Sequence, residues 1–193
     1  RGSFGDIAAS SFGGMVYYTS PDRSELLEQL QSQSIKAICD ADWKDLLIER
    51  LPEIPDFTLL VGWTGQVAIT DSLIQATEKK RKVETDSAFY KEFLVKSHAI
   101  VQGLQSAWNK QDIPALQEGI RSNRALLNEF AQVMQLEIET PALQTLCNLA
   151  EQNGACAKTS GAGGGDCGIC FTQNETERQQ IETQWAKAQI QDG

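Results

Sequence analysis

The fold is decided by the stretch Ala157-Lys158-Thr159-Ser160-Gly161-Ala162-Gly163-Gly164-Gly165-Asp166-Cys167-Gly168. Four glycines within positions 161–165 remove nearly all side-chain bulk, so successive backbone N–H groups can turn inward and line a concavity that binds an anion. Lys158 adds a cation for a phosphate, and Asp166 adds a carboxylate that suits a metal ion, a hydroxyl or a backbone N–H. The stretch therefore predicts a phosphate-binding loop.

The flanks of this loop predict a strand on each side of it. Short strand-like runs lie at 155–159 and 167–172, a helix upstream is bounded by Thr140 and Gly154, and a polar helix begins near Asn174. A Walker A loop would lead directly into a helix, so this order of elements argues against that motif. The alternative is a β-hairpin with a flexible tip, although a hairpin turn needs only one or two glycines.

Composition limits the classes of partner. The chain has 193 residues, 41% of them hydrophobic and 22% charged, which is ordinary for a globular protein. Its net charge of −9 argues against a nucleic-acid or anionic-membrane surface, where a basic footprint is expected. No run approaches a membrane span and no segment has signal-peptide anatomy. Any phosphate site must therefore be local.

The cysteines favour a reducing compartment. They are odd in number and scattered, at Cys39, Cys147, Cys156, Cys167 and Cys170. This pattern suits a cytoplasmic protein better than a disulfide framework. Cys167 and Cys170 have the spacing of a redox or zinc motif, but residues three apart on a strand face opposite sides of the sheet. We predict no metal site at this pair.

Apolar spacing and turn signals predict the other elements of an α+β domain. The predicted helices lie at 5–12, 24–31, 42–50 and 72–82, and the predicted strands at 15–19, 35–39 and 57–61. Hydroxyl residues follow the last of these strands. Thr70 either contacts a ligand or, with Asp71, caps the helix at 72–82, and the sequence leaves both interpretations open.

Two long amphipathic helices come next. The first carries apolar residues from Phe89 to Trp108, and the second begins at Asp112 and Pro114 and extends to Met134, so the two form an antiparallel pair. His98, the single histidine, lies inside the first helix without a cysteine or carboxylate at ligand spacing. We expect it to be structural or exposed, which argues against a Ser-His-Asp or Cys-His catalyst.

Three stretches together resemble motifs of the GHMP kinase superfamily. The run from Lys158 to Gly168 resembles its carboxy-terminal glycine loop, Gly2-Ser3-Phe4-Gly5-Asp6-Ile7-Ala8 resembles its Gly-Ser-x-Gly-Asp segment, and Leu60-Val61-Gly62-Trp63-Thr64-Gly65 resembles its Val-Gly-Trp-Thr segment. The resemblance covers essentially the whole chain. It implies a carboxy-terminal domain in which a mostly antiparallel sheet packs against helices, with residues 1–20 on the ATP-domain side and 21–193 forming the domain itself.

The same resemblance implies that an ATP-binding part precedes residue 1. The superfamily's Pro-x-x-x-Gly-Leu-x-Ser-Ser motif and an amino-terminal lysine that meets substrate phosphate are both absent from these residues. We expect the chain to need this amino-terminal part as its partner and to be inactive alone.

The version of the motifs found here implies transfer of the γ-phosphoryl group of ATP, with magnesium, to the phosphate of 5-phosphomevalonate. It assigns a catalytic role, base-like or electrostatic, to Asp6 and acceptor contacts to Ser3 and Thr70. It assigns binding of the substrate phosphate to the loop residues Gly161, Ala162, Gly163 and Gly164. Lys158, Ser160 and Asp166 are assigned to support of the loop. For Asp166 we favour a cap on nearby N–H groups over a catalytic role.

Two other functions stay open. One is a different member of the superfamily, acting on mevalonate or diphosphomevalonate, although Gly165-Asp166-Cys167-Gly168 and Gly62-Trp63-Thr64 argue against it. The other is a non-catalytic binding domain that has kept the glycine loop.

Overall fold

A computed structural model describes residues 3–65, 87–161 and 163–192. The chain forms two compact units, residues 1–53 and 54–193, and each is described by itself. The division after residue 20 that the resemblance implied concerns the domains of the superfamily and stays a prediction. The helix expected at 72–82 lies outside the described residues.

The first unit places three helices around a short antiparallel β-ribbon. Its elements are α1 (Gly5–Phe12), β1 (Val16–Thr19), α2 (Arg23–Ser32), α3 (Ile35–Cys39) and β2 (Leu47–Arg50). Val16 lies opposite Arg50 and Thr19 opposite Leu47 in the ribbon. The predicted helices at 5–12 and 24–31 and the strand at 15–19 are therefore confirmed within a residue or two.

Two predictions in this unit were wrong. Residues 35–39 form a helix rather than a strand, because the Ser34 hydroxyl accepts a hydrogen bond from the N–H of Ala37 and caps a helical turn. Residues 42–50 form a turn followed by β2 rather than a helix. Asp45 has a left-handed φ of 65°, and its carbonyl accepts a hydrogen bond from the Thr19 hydroxyl, so tertiary pairing with β1 overrides the helical spacing.

The second unit is a sheet covered by helices on both faces. Its elements are β3 (Thr58–Trp63), α4 (Ala88–Lys110), α5 (Ile113–Met134), α6 (Pro141–Gln152), β4 (Cys156–Thr159), β5 (Cys167–Thr172), α7 (Glu175–Lys187) and β6 (Gln191–Asp192). Among the described strands the order is β4-β5-β3-β6, and every neighbouring pair is antiparallel. The predicted α+β class, with a mostly antiparallel sheet packed against helices, is confirmed.

One face of the sheet packs against α6 and α7. Its centre is Trp185, which is fully buried and donates a hydrogen bond from Nε1 to the carbonyl of Leu146 over 3.1 Å. Gly62 and Gly168 lie opposite each other on β3 and β5. Cβ atoms there would lie 2.7 and 2.5 Å from the Leu146 side chain. The paired glycines thus let α6 approach the sheet closely.

The other face packs against α4 and α5. The Phe171 ring stacks on Phe57 at 4.8 Å and meets Trp108 of α4 edge-on at 5.8 Å. Gln111 and Asp112 connect α4 to α5, and contacts between Phe93 and Phe130 and between Leu104 and Gly119 show that the two helices run antiparallel, as predicted. His98 is exposed on α4. None of the described helices is long and apolar enough to cross a bilayer.

The paired glycines allow a test of this packing. Gly62→Ala would push a Cβ against Leu146 and Trp185, both fully buried, and should destabilise the protein by about 1–3 kcal/mol through overpacking. Gly103→Ala is the control. A Cβ on Gly103 in α4 meets nothing within 4 Å, and the change should stabilise the protein by about 1 kcal/mol through helix propensity. Urea unfolding measures both, and equal stabilities of the two variants would contradict the packing described.

Candidate phosphate-binding site

The glycine loop, residues 160–166, joins β4 to β5 through a backbone that few residues can adopt. The φ angles are 60° at Gly161, 74° at Gly163, 83° at Gly164 and 125° at Gly165. Glycine takes such angles without steric cost. Asp166 follows with a φ of 65°, a conformation that aspartate tolerates better than most residues. The conformation of the loop therefore accounts for its glycines.

Three backbone contacts fasten the glycine loop. The N–H of Ser160 donates to the carbonyl of Cys167 over 2.9 Å and closes the base of the loop. The N–H of Gly164 donates to the carbonyl of Ile138, in the connection between α5 and α6, over 2.7 Å. The carbonyl of Asp166 accepts hydrogen bonds from both the N–H and the hydroxyl of Thr64, each 2.9 Å long. The loop is thus anchored to two distant parts of the chain.

Gly163 packs directly on the backbone of Ile138. A Cβ at position 163 would lie 2.3 Å from the Ile138 carbonyl oxygen and 2.6 Å from its Cγ2 atom. Ile138 cannot yield easily, because its side chain is buried in a cluster with Phe130, Ala131 and Met134. Position 163 consequently requires glycine for space as well as for conformation.

The N–H groups of Gly163 and Gly165 take no hydrogen-bond partner within the described part of the chain, although both residues are buried. Buried backbone N–H groups are nearly always paired, so two unpaired ones in one loop suggest that a ligand supplies the acceptor. An anion is the natural acceptor for adjacent N–H groups. The N–H of Gly164, in contrast, is already bonded to Ile138.

The polar residues around the loop, Lys158 and Asp166, make different contacts. The Nζ of Lys158 donates to the carbonyl of Thr159 over 2.9 Å, and burial lowers the pKa of Lys158. Lys158 is a residue of β4, and this contact is to the next residue of the same strand. The Asp166 carboxylate is exposed, and the Cys167 thiol lies 3.6 Å from its Oδ1. The carbonyl of Asp166 fastens the loop to Thr64, and among the described residues no backbone N–H donates to its carboxylate.

Ser3 and Asp6 belong to the first unit. The Ser3 hydroxyl accepts a hydrogen bond from the N–H of Gly5, and its carbonyl accepts one from the Tyr18 hydroxyl over 2.6 Å. Asp6 is exposed in the first turn of α1, where the helix dipole favours an acid. Thr70 and Ala162, the other assigned residues, lie outside the described residues.

Cys167 and Cys170 lie on opposite faces of the sheet, as strand geometry predicts. Cys170 is buried in the cluster around Trp185, and burial raises the pKa of its thiol to about 12. Cys167 lies on the same face as Phe171 because the two positions are four apart on β5, an even separation. Among the described residues no group of three or more metal-ligating side chains lies close together.

Sequence reasoning missed the residues that hold the loop from a distance. Thr64 was part of a recognised motif but received no role, and its two hydrogen bonds to Asp166 explain why a hydroxyl residue follows β3. Ile138 was not identified at all. It acts through its backbone carbonyl, which leaves no residue-type signal in the sequence.

Comparisons with known proteins relate this chain to kinases. Residues 101–191 match the family model described as GHMP kinases C terminal, and this part of the chain is a GHMP kinase carboxy-terminal domain. The chain is 35% identical over 192 residues to phosphomevalonate kinase from Streptomyces sp. (strain CL190). The aligned region covers 98% of this chain and 51% of that protein.

Solved structures agree as well. A Listeria innocua protein superposes with a TM-score of 0.94 at 33% identity, over 100% of this chain and 54% of that one. Streptococcus pneumoniae phosphomevalonate kinase, in complex with phosphomevalonate and AMPPNP, superposes with a TM-score of 0.84 at 28% identity, over 98% of this chain and 54% of that one. The chain spans about half the length of these relatives.

Two alanine substitutions distinguish the steric overlap at Gly163 from the cost of a left-handed φ in the loop. Gly163→Ala and Gly161→Ala both place a side chain at a left-handed φ, which costs about 1–2 kcal/mol. A Cβ at Gly161 meets nothing within 4 Å, whereas one at Gly163 strikes the Ile138 carbonyl. Gly163→Ala should therefore lose about 1–3 kcal/mol more than Gly161→Ala in urea unfolding. Equal losses would show that Gly163 does not pack on Ile138.

Proposed function

We propose that this chain is part of an ATP-dependent kinase that converts 5-phosphomevalonate to its 5-diphosphate in isoprenoid synthesis by the mevalonate pathway. The observation that carries the proposal is the 35% identity to a phosphomevalonate kinase across 98% of the chain. The unpaired N–H groups of Gly163 and Gly165 support it independently, because a phosphorylated acceptor supplies the anion that they need.

The chemistry required of these residues is positioning rather than proton removal. A phosphate oxygen of the acceptor attacks the γ-phosphorus of ATP, a new P–O bond forms, and the bond to the bridging oxygen breaks to release ADP. The acceptor oxygen is already anionic, so a strong base is not needed, and orientation and charge neutralisation dominate. The loop N–H groups hold the acceptor phosphate. By resemblance to the superfamily, Ser3 and Thr70 are also assigned to contacts with the acceptor.

Asp6 and the loop residues have separate roles in this proposal. Asp6 acts near the attacking oxygen, by resemblance to the superfamily, either as a base or by its charge. Gly161, Ala162, Gly163 and Gly164 shape the phosphate site, with Gly164 bonded to Ile138 rather than to substrate. Lys158, Ser160 and Asp166 hold the loop at its two ends.

The nucleotide completes the reaction from outside these residues. We place the ATP site in an amino-terminal part of the same protein, where Mg²⁺ bound with the nucleotide would neutralise the charge on its phosphates. The net charge of −9 is compatible with a local phosphate site and with a protein that binds neither nucleic acid nor membrane. The free cysteines fit a cytoplasmic location.

An acceptor panel tests the proposal. The complete gene product, supplied with ATP and Mg²⁺, should turn over 5-phosphomevalonate in preference to mevalonate and diphosphomevalonate. Preference for either of the other acceptors would assign it to another branch of the superfamily. Absence of turnover with all three would favour a binding domain. The 193-residue chain alone should release no ADP, and measurable turnover by it would contradict an ATP site outside these residues.

Asp6→Asn in the complete protein tests the catalytic assignment. Turnover should fall by roughly 10²–10⁴, the usual range for a positioned acid-base group. The Michaelis constant for the acceptor should change less, because removing a negative charge beside a phosphate also removes repulsion in the ground state. Asp42→Asn, at an exposed position of the same unit, is the control and should leave turnover unchanged. Full activity of Asp6→Asn would remove Asp6 from the site.

A further inference from the structure

Glu139 directly follows Ile138, the residue whose carbonyl supports the glycine loop, and its carboxylate is held by α5. The Glu139 side chain is only 5% exposed. Its Oε2 atom accepts hydrogen bonds from Arg124 Nε and Asn128 Nδ2, each 2.9 Å long, and its Oε1 atom accepts one from Arg124 Nη2. A forked pair of this kind fixes both the position and the plane of the carboxylate.

Arg124 is itself fixed on its far side. Its Nη2 donates to Asn148 Oδ1 of α6 over 2.9 Å, and its side chain is 15% exposed. Burial acts to raise the pKa of Glu139, but the hydrogen bonds from Arg124 and Asn128 outweigh this effect and hold that pKa below the ordinary glutamate value. Glu139 is therefore an anion whose every displacement would break charge-assisted hydrogen bonds.

The peptide bond transmits this restraint to the loop. The carbonyl of Ile138 and the nitrogen of Glu139 belong to one planar peptide unit, so the orientation of Glu139 limits that of the carbonyl. The Ile138 side chain is buried, and the next residue, Thr140, caps α6 through its hydroxyl. The carbonyl that receives the Gly164 N–H is thus restrained from both sides.

Stability alone is a poor explanation for this arrangement. A buried ion pair costs desolvation that can exceed its Coulombic gain, and apolar residues of similar volume often serve stability as well. The helices α5 and α6 are already joined through Glu151, whose carboxylate pairs with Arg121 Nε at 3.1 Å and with Arg124 Nη1 at 3.8 Å, and neither contact involves the segment beneath the loop. What the first pair adds is a defined orientation of the segment at 138–139.

We infer that Arg124 and Asn128 are positioning residues that act through Glu139 to orient the carbonyl of Ile138, and so hold the Gly163 and Gly165 N–H groups where they bind the acceptor's phosphate. The part concerning the acceptor rests on the function proposed above. The part concerning the loop stands on the described contacts alone.

The first experiment needs no substrate. Hydrogen exchange of the Gly164 amide, measured by NMR in the complete protein with selective glycine labelling, should accelerate in Arg124→Gln because its acceptor is no longer held. Arg121→Gln is the matched control, since it removes the 3.1 Å ion pair between α5 and Glu151 without touching Glu139, and it should leave Gly164 exchange unchanged. Equal exchange in the two variants would overturn the inference. If Arg124→Gln does not fold, Asn128→Ala serves instead, because it removes a single hydrogen bond to Glu139. It should accelerate Gly164 exchange by a smaller factor.

The second experiment concerns the acceptor. In Arg124→Gln the value of kcat/KM for 5-phosphomevalonate should fall by up to about 10²-fold, mostly through a higher KM, while the KM for ATP stays unchanged. A general loss of structure would move both Michaelis constants. Faster Gly164 exchange with an unaltered acceptor KM would overturn the role in substrate binding. A wild-type protein inert toward 5-phosphomevalonate would refute the proposed function, and the comparison of Gly164 exchange would still decide the role of Arg124.

Discussion

The contact between the glycine loop and the Ile138 carbonyl is the constraint on which this site depends. One carbonyl oxygen accepts the Gly164 N–H and lies so close to Gly163 that a Cβ there would be 2.3 Å away. The loop can therefore take its position only if two conditions hold together. Position 163 must lack a side chain, and the connection between α5 and α6 must lie at a fixed distance from the loop.

Packing in the rest of the second unit fixes the position of this connection. Ile138 lies in the connection that follows α5, and its side chain joins Phe130, Ala131 and Met134 of that helix in a buried cluster. On the other face, Gly62 and Gly168 let α6 settle on the sheet through Leu146. Because α6 begins immediately after the connection, its packing and its Thr140 cap fix the segment from the other end. The packing of the core therefore determines the geometry of the site.

The sequence predicted what depends on local spacing. The strand, loop and strand around the glycines, the two long helices, and the opposite orientation of Cys167 and Cys170 all follow from periodicity, caps and strand geometry. Residues 35–39 and 42–50 were assigned wrongly because short apolar runs fit both periods, and pairing with β1 decided the second case. The supports of the loop were missed for a different reason. Thr64 and Ile138 act across long separations, and Ile138 does so through a backbone atom that any residue would supply.

The central proposal is that the N–H groups of Gly163 and Gly165, which take no partner among the described residues, bind the acceptor's phosphate. Amide chemical shifts test it most directly. The complete protein, selectively labelled with ¹⁵N-glycine, is titrated with 5-phosphomevalonate, with mevalonate as the control that lacks the phosphate. The account predicts downfield shifts of the Gly163 and Gly165 amide protons with the phosphorylated compound only, and a much smaller change at Gly164, whose N–H is bonded to Ile138. Unchanged Gly163 and Gly165 resonances at saturation, or equal shifts with mevalonate, would contradict it.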